Sequence, residues 1–173
     1  EFAEAGKEGM PVRYLLSHQA GMPAVRETLP QDSLYDWDVM TAALARQEPW
    51  WEPGTKHGYH AYTFGWLVGE VVRRISGKSL GAFFRDEVAE PLGADFQIGL
   101  PGSEHGRVAP IMWPDDWDGP DIGFINTREA RSAEIPAGNG HGNARSLVRV
   151  MAALANGGEL DGVRLLKRET LEA

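Results

Sequence analysis

Two imidazoles and two phenols stand close together in Gly54-Thr55-Lys56-His57-Gly58-Tyr59-His60-Ala61-Tyr62-Thr63-Phe64. A tyrosine hydroxyl on a loop can carry protons as a general acid or base. It can equally pack with its hydroxyl satisfied, the commoner use of tyrosine, and this segment alone leaves both readings open for Tyr59. His57 and His60 are three apart but have glycine between them and no third ligand at a recurring spacing, so a zinc site is disfavoured. His18, at the end of a short apolar run, reads as a buried structural hydrogen-bonder. His141 lies between Gly140 and Gly142, which permit close backbone approach; it reads as either a cleft-lining side chain or part of a turn. Trp113 and Trp117, with Phe124 nearby, are candidate walls of an apolar pocket for an acyl or alcohol group. Their alternative is packing of a loop on the body, and Trp50 and Trp51 share that ambiguity. The carboxylates between Trp113 and Asp121 fit no calcium loop and read as a solvated acidic stretch.

These side chains need elements to hold them. Pro53 and Gly54 fix a turn, and apolar residues at Tyr62, Trp66, Leu67, Val71 and Ile75 then recur at helical spacing, which predicts a helix over 62–75. Tyr59 is thereby placed at the mouth of a helix anchored in the core. Further helices are expected over 12–17, over 37–47 with Asp36 as N-cap, over 80–88, and over 145–155 ending at Asn156-Gly157. Residues 93–137, rich in Gly, Pro, Asp and Trp, read as a loop-rich excursion with a short strand at 96–100, and a second strand is expected at 162–166. Gly77-Lys78-Ser79-Leu80-Gly81 matches the nucleophile elbow of α/β-hydrolases, which requires a strand before the serine. Here a helix precedes it, so Gly77 reads as that helix's C′ residue and Ser79 as the N-cap of the next.

Composition narrows the class. The chain has 173 residues, is 42% hydrophobic, and carries a net charge of −8 from 17 basic and 25 acidic residues. A charge balance of this kind disfavours nucleic acid and anionic membrane as partners, since both require clustered Lys and Arg, so neither is expected. No stretch approaches the roughly 20 apolar residues of a membrane span, and no signal-peptide pattern opens the chain. The absence of cysteine rules out disulfides and thiol catalysis without fixing the compartment, for which the cytoplasm is slightly favoured.

Taken in order, Val12-Arg13-Tyr14-Leu15-Leu16-Ser17-His18-Gln19-Ala20-Gly21-Met22-Pro23, the Tyr59 segment, Glu90-Pro91-Leu92-Gly93-Ala94-Asp95, Asn139-Gly140-His141-Gly142-Asn143-Ala144-Arg145 and Asn156-Gly157-Gly158 form a pattern. It resembles the serine β-lactamase and penicillin-binding-protein superfamily, most closely its esterase branch, the family VIII carboxylesterases. The resemblance runs from Phe2 to Leu171. It implies a mixed α+β, β-lactamase-like fold, of which this chain holds mostly the helical region and a loop-rich segment. It also implies an acyl-serine mechanism without cofactor or metal, on a small-molecule ester; the oligomeric state stays open. Three clusters serve that chemistry in the superfamily: Ser-x-x-Lys, Tyr-x-Asn, and Lys-Thr-Gly or His/Trp-x-Gly. Tyr59-His60-Ala61 falls at the second, so the resemblance gives Tyr59 the task of taking the serine's proton. Ala61 replaces an asparagine that binds the substrate amide in β-lactamases, which favours esters. None of Ser17, Ser33, Ser76, Ser79, Ser103, Ser132 and Ser146 has lysine three residues on. Residues 1–173 are therefore expected to be the central part of one hydrolase domain, inert alone. A β-lactamase, a D-amino-acid peptidase or an acyltransferase of the same fold remains an alternative, as does a non-catalytic binding module, since fold does not fix function.

Overall fold

The computed structural model describes residues 2–119 and 123–172. Pro120 and Asp121, the end of the acidic stretch, lie outside them. Its central element is α3 (Thr63–Ser76), which buries Thr63, Gly65, Trp66, Leu67 and Gly69. The helix stops where Gly77 adopts φ 72°, a left-handed conformation that costs glycine nothing, and its N–H closes on Arg73 O at 2.8 Å. It begins at Thr63 rather than Tyr62 and otherwise follows the apolar spacing.

Against α3 pack α1 (Val12–Leu16) and α2 (Trp37–Arg46). Asp36 caps α2, its Oδ1 accepting from Val39 N–H at 3.0 Å. One core joins Leu15, Ala20, Met22, Met40, Leu44, Trp66, Leu67 and Ile135. Two glycines let neighbours reach the α3 backbone. A Cβ on Gly69 would lie 2.5 Å from the Trp37 ring, and one on Gly65 would lie 2.6 Å from the Ala137 backbone nitrogen.

Ser79 opens α4 (Leu80–Phe84), accepting from Ala82 N–H at 3.2 Å. Its hydroxyl donates to Glu134 Oε1 at 2.6 Å, while Glu134 Oε2 accepts from Gly81 N–H at 2.9 Å, so one orphan N–H of the helix start is satisfied from a distant segment and a second, that of Ala82, by Ser79 itself. The chain then runs through a π-helical turn, Arg85–Ala89, into α5 (Glu90–Leu92), past the expected end at residue 88. Pro91 explains the irregularity. It has no N–H to donate, and in a regular helix its ring would crowd the carbonyl four residues back.

Strand β1 (Phe96–Ile98) pairs antiparallel with β2 (Gly140–Gly142) in the register Phe96↔Gly142, Gln97↔His141, Ile98↔Gly140. The Phe96 ring lies on both glycines of β2. Between the strands the chain makes 3₁₀ turns at Gly102–Arg107 and Gly123–Asn126, then α6 (Arg128–Ser132), capped by Thr127. Asn143 caps α7 (Ala144–Ala155). The expected strand at 162–166 is a short hairpin instead, β3 (Glu159–Leu160) with β4 (Val163–Arg164), turning on Asp161 and Gly162. Both turn residues have positive φ, as a two-residue Asp-Gly hairpin turn requires. The last described element is α8 (Arg168–Glu172).

Candidate active site

The loop 54–62 crosses the N-terminal end of α3 and is tied to the segment after α1. Gly54 N–H donates to Gln19 O at 2.9 Å, and Gly58 N–H to His18 O at 3.1 Å. At the helix start, Thr63 Oγ1 donates to Met22 O at 2.6 Å. His60 is fully buried: its Nε2 accepts from Met22 N–H at 2.9 Å, and its Nδ1 faces Gly58 O at 2.5 Å. A ring nitrogen facing a carbonyl must carry the proton, and one facing an amide N–H must not, so His60 is a neutral imidazole of fixed tautomer. Burial pushes its pKa below the ordinary histidine range, the Gly58 carbonyl opposes, and the fields of His18 and His57 add to the lowering. With both nitrogens engaged, His60 has no lone pair left for a metal. His18 is the structural hydrogen-bonder expected, though half-buried rather than buried: its Nδ1 accepts from His60 N–H at 3.2 Å.

Tyr59, between these anchored peptide groups, is turned outward. Its side chain is 72% exposed, and its hydroxyl has no hydrogen-bond partner among the described residues. The reading of Tyr59 as a half-buried aromatic with a satisfied hydroxyl therefore does not describe it. Tyr59 and Ala61 share an open cavity of about 360 Å³ with His18 and His60. Its floor comes from α3 through Phe64, Gly65, Val68 and Gly69, and its far wall from Leu80, Ile98, Pro136 and Ala137. The sequence did not mark the wall residues, because they come from segments distant in the chain. Among the described residues, no serine or lysine lines this cavity.

The other candidate residues lie elsewhere. His141 is paired directly with Gln97, so the two share one face of the β1–β2 pair, and both line a separate pocket of about 410 Å³ with Arg131 and Asn143. Ile98, on the alternate face, lines the Tyr59 cavity. Burial pushes the His141 imidazole below its ordinary range, opposed by the Asn139 backbone and assisted by the charges of Arg131 and His105. Trp113 and Trp117 pack on each other, ring centroids 5.4 Å apart, and neither lines the Tyr59 cavity. Ser79 makes the cap contacts already described, on a helix preceded by α3 rather than by a strand.

Residues 1–173 match the Beta-lactamase family throughout, and the chain belongs to that family. It is 37% identical over 196 residues to the Esterase/beta-lactamase LipL of Mycobacterium tuberculosis, across 97% of this chain and 45% of the relative. Among solved structures it is similar to a family VIII carboxylesterase, with 46% identity and TM-score 0.91 over 99% of this chain and 50% of the other. It is also similar to a penicillin-binding protein homologue from Caulobacter crescentus, with 38% identity and TM-score 0.87 over 99% and 50%. The chain spans about half the length of these relatives. Among the described residues, no helix is long and apolar enough to cross a membrane.

Proposed function

We propose that this chain carries the proton-transferring tyrosine of a serine hydrolase that acts on carboxylic esters. The observation that carries the reading is the Tyr59 phenol, exposed and unpartnered on a cavity it shares with Ala61. As a serine oxygen attacks the ester carbonyl carbon, Tyr59 takes the hydroxyl proton and hands it to the departing alkoxide, leaving an acyl-serine that water hydrolyses. In this reading the serine and its lysine lie outside residues 1–173, which form the central part of one hydrolase domain. Ala61 gives the cavity a methyl group where an amide would recognise a peptide-like side chain, which suits a plain acyl group.

Tyr59→Phe in the complete protein tests this. The ring and its packing stay, and the hydroxyl is exposed without a hydrogen-bond partner among the described residues, so stability should change little, within the roughly ±0.5 kcal/mol usual for surface substitutions. The kcat for short-chain p-nitrophenyl esters should fall at least about a hundredfold, within the usual contribution of a general base, with KM less affected. A variant with undiminished kcat would sink the assignment.

β-Lactam hydrolysis is the second reading, and the double name of the Mycobacterium tuberculosis relative favours keeping it. Turnover of a chromogenic cephalosporin faster than of p-nitrophenyl butyrate by the complete protein would decide for it.

A further inference from the structure

Tyr59 is held through its neighbours. The N–H of Gly58 donates to the His18 carbonyl at 3.1 Å, and the N–H of His60 donates to His18 Nδ1 at 3.2 Å. The His18 ring itself lies against the phenol, with centroids 5.2 Å apart, and against Phe64 at 4.9 Å. One residue thus grips the backbone on both sides of Tyr59 and supplies a surface for its ring. His18 does so at φ 59°, a left-handed conformation that costs a non-glycine residue about 1 kcal/mol and persists only where surrounding contacts over-determine it. The groups facing His18 are His57, Tyr59 and His60 on the loop and Phe64 on α3, and among the described residues no carboxylate pairs with it.

We infer that His18 is a positioning residue that sets Tyr59 for proton transfer, through its carbonyl, its Nδ1 and its ring. The inference rests on Tyr59 being the proton carrier. Loss of the imidazole removes the acceptor for His60 N–H and the surface against the phenol together, so the loop is released on the side of Tyr59 that leads into α3.

The test uses His18→Ala and His18→Asn in the complete protein. Asparagine keeps an acceptor oxygen near the Nδ1 position and tolerates left-handed φ. His18→Ala should lose at least about tenfold in kcat with KM little changed, as displacement of a reacting group does. His18→Asn should recover most of that loss. In a Tyr59→Phe background, His18→Ala should cost nothing more. Wild-type kcat in folded His18→Ala, no recovery in folded His18→Asn, or an equal loss in the Tyr59→Phe background would each overturn the inference. If Tyr59→Phe alone keeps full activity, it is the reading of Tyr59 that fails. The grip is then judged by amide hydrogen exchange at His60, which His18→Ala should speed at least about tenfold by local opening, and unchanged exchange would overturn it.

Discussion

His60, buried, and Glu70, partly buried, both make the fold answer acid, and they act in different pH windows. His60 is kept neutral, mainly by burial, so its folded pKa lies below the ordinary value of 6.5. The unfolded chain therefore takes up a proton that the folded one refuses, and stability present above about pH 6.5 is lost as the pH falls below it. Glu70 works lower on the scale. Burial alone would raise its pKa, but hydrogen bonds from Arg73, Trp37 and Arg74 hold it at about 2. A depressed carboxylate contributes stability above its unfolded value of 4.5, lost as the pH falls toward 2. Urea midpoints measured from pH 7.5 to 5 should thus decline in the wild type, a window that His60 shares with His141, whose imidazole burial also lowers, and that Glu70 does not enter. His60→Gln should make that decline shallower, while costing about 1–3 kcal/mol at pH 7.5 because Met22 N–H and Gly58 O lose a well-placed partner. Equal slopes in wild type and variant would refute the attribution.

At the scale of elements, α3 works as a rail on which the cavity is assembled, and its glycines are what make the rail accessible. Alanine is intrinsically better than glycine in a helix by about 1 kcal/mol. At Gly65, however, the added methyl meets the Ala137 backbone nitrogen at 2.6 Å and Pro136 at 3.0 Å, and backbone cannot step aside as a flexible side chain would. Overpacking of this kind costs about 1–3 kcal/mol, so Gly65→Ala is expected to be net destabilising and to push residues 136–137 off the cavity wall. A thermal melt reads the first effect, and a raised KM for esters in the complete protein reads the second; a stabilised variant would show that the wall gives way freely. The sequence showed α2, α3, α7 and the caps Asp36, Gly77 and Ser79 because those depend on neighbours three or four residues apart. It did not show β2, since Gly-His-Gly has no strand preference of its own and becomes a strand by lying under Phe96 beside β1. The buried ammonium of Lys7 was equally hidden. It donates to the carbonyl of Gln47 at the end of α2, a partner 40 residues away. The same limit applies at the site. Tyr59 and Ala61 could be picked out locally, whereas the cavity wall at Pro136 and Ala137, and the bonds linking His18 and Met22 to His60 across 42 and 38 residues, exist only once the chain has folded.

For the molecule as a whole, the decisive fact is what surrounds the Tyr59 phenol. The seven serines of the chain are spread over caps, turns and helix ends, and none lines the 360 Å³ cavity. Ser79 donates to Glu134 and caps α4, and Ser146 is buried, held by Asn143 and the backbone of Asp95. Ser132 lies beside His105 Nε2 at 3.1 Å, but among the described residues that imidazole has no hydrogen-bond partner on Nδ1 to orient it as a base. The surface also carries an apolar stripe on α7, where Leu147, Val148, Met151 and Leu154 are exposed along one face. An exposed acid–base residue without a nucleophile in reach can move a proton but cannot form an acyl-enzyme. A polypeptide limited to residues 1–173, shown to be helical by circular dichroism, should therefore hydrolyse p-nitrophenyl butyrate no faster than buffer and take up no fluorophosphonate label. Turnover at ordinary enzyme rates of about 1–10³ s⁻¹, blocked by that label, would place a working nucleophile among the seven serines and overturn the proposed division of labour.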